Sequence, residues 1–122
     1  MIRTSQLEGK TGAPGGLALP VQCWGEDTKT LAVRFEFKNG DFFVFPYVNL
    51  LSVEYRTGDP GDEVKVRYSS HEVRVLGEGL RRLALSFQRL QVEWVSEAAR
   101  RYDRASAADA GLVLGIEVKE TG

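Results

Sequence analysis

The chain has 122 residues, with 16 basic and 17 acidic side chains and a formal net charge of −1 at pH 7. This length fits one domain that buries a core without disulfides or metal, and the balanced charge gives no global field for nucleic acid or an anionic membrane. Cys23 is the only cysteine, which excludes an internal disulfide. No apolar run approaches the roughly 18 residues of a membrane span, so we expect no membrane partner. The lone Cys23 is expected to be a buried thiol in a reducing cytoplasm.

The amino-terminal residues are expected to form a flexible tail. Residues 1–16 combine Gly, Pro and polar side chains with almost no apolar content, so little burial offsets the entropy of ordering them. Residues 17–122 are expected to form a single α+β domain. Its first short strand is predicted within residues 17–24, where apolar residues alternate, and Pro20 restricts this strand to an edge position.

The strongest local signal is the dipeptide Asn39-Gly40, which predicts a two-residue type I′ turn between two apolar strands. In that register Phe35 faces Val44, and Phe43 and Phe45 point to the outer side of the sheet. An outward pair of phenylalanines requires a cover from the helix, from the terminal strand or from another molecule. Phe43 and Phe45 are therefore predicted to belong to an interaction surface.

Three further strands are predicted from apolar alternation, at residues 50–55 and 63–68 and from His71 onward. A turn-rich loop over residues 56–62 separates the first two. If Ser69-Ser70 closes a tight hairpin, Val66 pairs with Val73, and apolar residues share one face. Ser-Ser is a poor type I′ pair, so a longer or distorted turn is an equal alternative.

After Gly77-Glu78-Gly79 the apolar period changes to three or four residues, which predicts a helical segment over residues 80–105, continuous or broken near residues 90–92. Its main stripe, which includes Trp94, is expected to cover the sheet. A second ridge carries Leu85 and Val92. This ridge is either a partner-facing seam or part of a broadly buried helix.

Few side chains are suited to catalysis or metal binding. His71 is the only histidine, so a zinc site would need Cys23 and two carboxylates to complete four ligands. We expect no cofactor and no metal, and no catalytic residue is assigned. The alternative is a small enzyme or small-molecule-binding protein with a pocket between helix and sheet, in which Tyr68, His71 and Arg74 are the polar groups.

Nucleic-acid binding through the helix arginines is a third and less favoured class. Residues 78–104 contain six arginines and four acidic residues, a local charge of only +2. RNA-binding modules also present aromatic side chains among their basic residues. The aromatic residues of this segment fall on the predicted core stripe, so a solvated helix face is the better interpretation.

The run from Tyr68 to Gly77, YSSHEVRVLG, is followed by an apolar series in the helical segment and resembles the end of a group of small uncharacterised bacterial proteins. The series comprises Leu80, Leu83, Leu90, Val92 and Trp94. The resemblance implies a strand, a Gly and a Leu-rich helix in succession, and it implies no activity. More loosely, strands followed by a helix containing Trp94 resemble the pleckstrin-homology-type superfold, in which a C-terminal helix closes a bent sheet.

Together the patterns predict an α+β domain in which a mostly antiparallel sheet of five to seven strands is packed by a C-terminal helical segment. A closing strand is expected over residues 112–118. We expect a non-enzymatic protein interaction module that forms a homo-oligomer or binds another protein. The predicted interaction surface comprises Phe43, Phe45, Leu85 and Val92.

Overall fold

The computed structural model describes residues 22–98 and 111–121, which form eight strands, one α-helix and one short 3-10 helix. The strands are β1 (Trp24–Glu26), β2 (Ala32–Glu36), β3 (Phe42–Pro46), β4 (Leu50–Arg56), β5 (Asp62–Tyr68), β6 (His71–Glu78), β7 (Val92–Ser96) and β8 (Leu112–Glu120). Helix α1 (Arg81–Gln88) lies between β6 and β7, and the 3-10 helix (Tyr47–Asn49) lies between β3 and β4. The predicted tail of residues 1–16, most of the strand predicted within residues 17–24, and residues 99–105 of the predicted helical segment lie outside the described residues.

The strands form two four-stranded sheets. Sheet 1 has the order β1-β7-β2-β3, in which only the β2–β7 pair is parallel. Sheet 2 has the order β4-β5-β6-β8 and is antiparallel throughout. The prediction of a mostly antiparallel α+β fold is confirmed. The prediction of a single sheet of five to seven strands is wrong, since the described residues form two sheets. The prediction of a C-terminal helix is also wrong, since α1 precedes the last two strands.

Sheet 2 forms as the apolar alternation predicts. Val66 lies opposite Val73 and Arg67 lies opposite Glu72, so β5 and β6 form a tight hairpin at Ser69-Ser70. β8 pairs with β6 along the other side, which confirms the closing strand. β-branched residues at every second position suit this pleated, half-buried surface.

One core lies between the inner faces of the two sheets and α1. Phe35, at its centre, has ring centroids 6.1 Å from Phe45, 6.4 Å from Tyr68 and 6.2 Å from Phe87. The fully buried valines of both sheets lie in the same core, namely Val33, Val64, Val66, Val73, Val75, Val92, Val95 and Val113. Each such side chain contributes about 1.5–3 kcal/mol by leaving water, so this shared core joins the two sheets.

The helix ends at Gln88, seventeen residues before the predicted end at residue 105. The Leu90 N–H donates to the Phe87 carbonyl at 3.0 Å and the Gln91 N–H donates to the Ser86 carbonyl at 3.1 Å, which is a Schellman motif. Leu90 adopts a left-handed conformation with φ 59° and reverses the chain into β7. The prediction of a helix through residues 90–98 is therefore wrong.

The β2–β3 hairpin has a three-residue loop instead of the predicted two-residue turn. The Phe37 N–H donates to the Asp41 carbonyl at 2.8 Å, and Gly40 adopts φ 95°. A type I turn followed by a left-handed glycine gives this geometry. The register moves by one residue, so that Phe35 lies opposite Phe43 instead of Val44. Because side chains alternate between faces, the shift exchanges the inner and outer sets along β3.

Candidate interaction surfaces

The first candidate surface is the edge of sheet 1 that β3 forms. β3 is the edge strand, and no strand in the part of the chain that the structure describes pairs with its outer side. Its sequence is entirely apolar, and Phe42, Phe43 and Val44 are 56, 41 and 53 % exposed. Natural proteins usually protect such edges with charges or with a covering segment. An exposed apolar edge strand is therefore a candidate binding surface.

The backbone groups of this edge follow from the ladder. The Phe37 N–H donates to Asp41 and the Tyr47 N–H donates to Leu31, which marks two hydrogen-bonded pairs of the β2–β3 ladder. Hydrogen-bonded and non-hydrogen-bonded pairs alternate in antiparallel sheets. The N–H and C=O groups of Phe42 and Val44 therefore point away from β2. Pro46 has an outward carbonyl but no N–H, so at this position the edge can accept a hydrogen bond but cannot donate one.

The outer face of sheet 1 carries Arg34 and Trp94 beside this edge. Arg34 lies opposite Val44 on one side and Trp94 on the other. Trp94 therefore lies on the outer face instead of the predicted core stripe. Its indole covers Gly25 so closely that a Cβ added there would clash with Trp94 Nε1. Glycine at position 25 thus leaves the space that the indole occupies.

The structure brings four of the predicted site residues together at one end of the core. The Phe45 ring centroid lies 4.6 Å from that of Tyr68 and 5.1 Å from that of His71, and Phe43 lies 6.1 Å from His71. The one-residue shift places Phe45 inside, only 7 % exposed, so its predicted outward orientation is wrong. Phe43 covers the same cluster from the rim.

The polar atoms of this cluster have few partners. Burial raises the pKa of the Tyr68 hydroxyl, with a smaller contribution from Tyr47, and this hydroxyl has no hydrogen-bond partner among the described residues. The His71 Nδ1 lies 2.7 Å from the Ser70 hydroxyl. The imidazole ring also lies beside the rings of Phe43 and Phe45. These contacts are typical of a packed rim, and neither Tyr68 nor His71 lines the groove described below.

Arg74 lies on the opposite face of β6, away from Tyr68 and His71. Its Nε donates to Glu63 Oε2 and its Nη1 to Glu117 Oε1, both at 2.7 Å. The hydrogen bond from Arg74 holds the pKa of Glu63 below its usual value. These ion pairs connect β5, β6 and β8 across the outer face of sheet 2. The three predicted polar groups of the alternative pocket are therefore not assembled into one site.

The second candidate surface is a groove of about 510 Å³ between α1 and β4, one of the two edge strands of sheet 2 among the described residues. Leu85 lines this groove and is exposed, whereas Val92 is fully buried in β7. The predicted ridge of Leu85 and Val92 is therefore divided between the surface and the core. Sequence reasoning missed Leu51 and Leu90, which also line the groove. Leu90 was missed because the helix was predicted to continue through residue 90, and Leu51 because the sequence does not show where α1 lies against β4.

The described residues contain neither a grouped set of metal ligands nor a membrane-spanning helix. Within residues 22–98 and 111–121, no three His, Cys, Asp or Glu side chains are grouped so that they could hold a metal ion. In the same part of the chain, no helix is long and apolar enough to cross a membrane.

Comparison of the chain with protein-family models, with curated proteins and with solved structures found no match. The resemblance to a group of small bacterial proteins stays a prediction. The β3 edge and the α1–β4 groove are the two surfaces of the described residues that bear on function.

Proposed function

We propose that this protein is a non-enzymatic interaction module that self-associates by antiparallel pairing of β3 between two copies. The single observation that carries the proposal is the unpaired edge at β3, where consecutive apolar residues Phe42, Phe43 and Val44 are exposed. Exposed apolar edges are templates for pairing with another strand. A second copy offers an edge of the same length and the same hydrogen-bonding pattern.

The register of this pairing follows from full overlap of the strands. Val44 is the central residue of Phe42–Pro46, so complete antiparallel overlap puts Val44 on the two-fold axis. Its outward N–H then donates to the carbonyl of Val44 of the second copy, and the Phe42 N–H donates to the carbonyl of Pro46 of the second copy. Both outward donors of each strand find an acceptor, and the interface is isologous as a two-fold dimer requires.

The side chains support the same arrangement. Val44 of each copy packs against its counterpart on the outer face, and Phe43 lies opposite Phe45 of the second copy on the inner face. Phe43 thereby loses exposed surface next to the His71 and Phe45 rings. Burial of apolar area stabilises the pair by roughly 25 cal/mol per Å² before the entropy of association is subtracted.

Sedimentation velocity over a concentration series up to high micromolar tests the proposal. The wild type is expected to dimerise, and Val44→Lys is expected to be monomeric, because a charge on the axis meets its own copy. The matched control is Leu114→Lys on β8, the other edge of sheet 2, where a similarly exposed apolar residue is replaced. Circular dichroism verifies that both variants are folded. A monomeric wild type, or a Val44→Lys variant that still dimerises, would contradict the proposal.

A further inference from the structure

The groove between α1 and β4 has an edge strand as one wall. β4 has seven residues, about 20 Å of extended chain, and no described strand pairs with its outer side. Helix α1 runs beside this edge and forms the other wall. Leu50, Leu51, Ser52 and Val53 all line the groove although neighbouring side chains point to opposite faces. The main chain of β4 therefore lines the groove together with its side chains.

The groove is mostly apolar. Leu51, Leu85 and Leu90 are 67, 38 and 48 % exposed, and the buried Phe87 lies beneath them. Its volume lies within the range of about 300–1,000 Å³ that is usual for ligand sites. Backbone hydrogen-bonding groups along one wall and apolar pockets along the other are the features that recognise an extended peptide by strand addition.

The charged residues around the groove indicate which class of peptide it would bind. Arg81 lines the groove, and no carboxylate among the described residues forms an ion pair with it. Glu54 on β4 is already paired with Arg56 at 2.7 Å and lies 3.9 Å from Lys65. The helix itself contains no acidic residue. Arg81 thus lies beside the apolar walls without an ion-paired carboxylate among the described residues, which favours a ligand with a carboxylate.

The far end of the groove is formed by a strained residue. Leu90 has φ 59°, a conformation that glycine adopts more readily at this position after a helix. A glycine here would remove one of the exposed leucines from the groove. Backbone strain of this kind persists where the surrounding structure enforces it, often at binding sites.

We propose that this groove binds an extended, acidic segment of another protein. The segment adds to β4 as an antiparallel or parallel strand, places alternate apolar side chains against Leu51 and Leu85, and sets one carboxylate against Arg81. This site lies on sheet 2 and does not depend on self-association through β3. The protein therefore has one surface for its own copy and a second for a different chain.

Selection of random eight-residue peptides displayed on phage, with the full protein immobilised, tests the proposal. Enriched peptides are expected to alternate apolar residues and to contain Asp or Glu. Synthetic copies of the enriched peptides are then titrated by fluorescence polarisation. Arg81→Gln is expected to weaken binding about tenfold and to reduce its dependence on salt. Leu85→Asn is expected to weaken it to a similar degree.

The matched control is Arg82→Gln. Arg82 is the neighbouring arginine on α1, but it lines a different cleft beside Trp24 and Glu26, so its loss is expected to leave peptide affinity unchanged. The Val44→Lys variant is expected to bind the peptide like wild type, which separates this site from the β3 edge. Absence of enrichment over empty support would overturn the proposal. So would equal binding by wild type, Arg81→Gln and Leu85→Asn, or a bound peptide that is helical by circular dichroism.

Discussion

Phe43 lies directly opposite Phe35 in the β2–β3 ladder, so both rings lie on the inner face of sheet 1. The same register sends Phe42 and Val44 to the outer face. The left-handed conformation of Gly40 determines this register, because Gly40 closes a three-residue loop in place of a two-residue turn. One backbone conformation thus determines which apolar side chains are available to a second copy.

The conformation of Gly40 predicts a loss of stability on substitution. Gly40→Ala is expected to lower the free energy of unfolding by about 1 kcal/mol, since a Cβ resists φ 95°. An added Cβ has no neighbour within 4 Å, so the loss reports backbone strain alone. Urea denaturation measures it. The control is Gly115→Ala in β8, which also meets nothing within 4 Å but has no positive φ and is expected to be neutral or slightly stabilising. Equal effects of the two substitutions would show that the loop conformation is misassigned.

The left-handed conformation of Leu90 predicts a gain of stability when glycine replaces it. Leu90→Gly is expected to raise the free energy of unfolding by about 0.5–1 kcal/mol, because glycine adopts the left-handed conformation after α1 with less strain. Leu85→Gly, inside α1, is expected to lower it by about 1 kcal/mol. Urea denaturation of the two variants checks the pair. A Leu90→Gly variant less stable than wild type would mean that packing of the Leu90 side chain outweighs the strain.

Alternation alone predicted much of sheet 2. Val64, Val66, Val73 and Val75 recur at every second position, and all four are fully buried, so the pattern directly reported the core face. Their cross-strand pairing followed once a tight turn was placed at Ser69-Ser70. Here local sequence and tertiary packing agree, which is why the prediction was sound.

The end of the helix could not be predicted in the same way. The usual signals are glycine or proline after the last turn, and here Leu90 occupies that position. Val92 and Trp94 also fit both a helical and an extended period. The parallel pairing of Arg34 with Trp94 joins residues far apart in sequence, and no local pattern predicts such a contact.

The candidate surface was only partly predictable. Asn39-Gly40 is compatible with a loop of two or of three residues, and the choice decides whether Phe45 or Val44 faces outward. The apolar character of the strand was evident from the sequence. The identity of the exposed residues required the register, and the groove beside Leu85 required the position of α1 against β4.

Asp62 predicts a pH dependence of stability. Its Oδ2 accepts hydrogen bonds from the Leu80 N–H at 2.9 Å and the Tyr55 hydroxyl at 3.0 Å, and its Oδ1 accepts one from Thr57 at 2.8 Å. Desolvation raises the pKa of this carboxyl, but the hydrogen bonds, first from Leu80, outweigh it and hold the pKa below the ordinary value of 3.8. The carboxylate therefore stabilises the folded state at pH values above its ordinary pKa.

Asp62→Asn is accordingly expected to lower the free energy of unfolding by about 1–3 kcal/mol at neutral pH, because hydrogen bonds to a charged acceptor are lost. The difference from wild type is expected to stay constant down to about pH 4 and to shrink as the pH falls further through the lowered pKa. Urea denaturation between pH 7 and pH 3 measures it. Asp59→Asn, in the loop that precedes β5, serves as the control for removing a charge. A difference that is independent of pH would contradict the assigned role.

The most direct test of self-association through β3 is disulfide trapping at the two-fold axis. Residues in a hydrogen-bonded antiparallel pair have Cα atoms about 5.5 Å apart, within the range of about 4.4–6.8 Å that a disulfide spans. Val44→Cys is made in a Cys23→Ser background, since Cys23 is the only cysteine and is buried. The control is Leu114→Cys in the same background. Under mild oxidation, Val44→Cys is predicted to migrate as a covalent dimer on a non-reducing gel while Leu114→Cys stays mostly monomeric. Equal trapping of the two variants, or no trapping of Val44→Cys, would contradict pairing through β3.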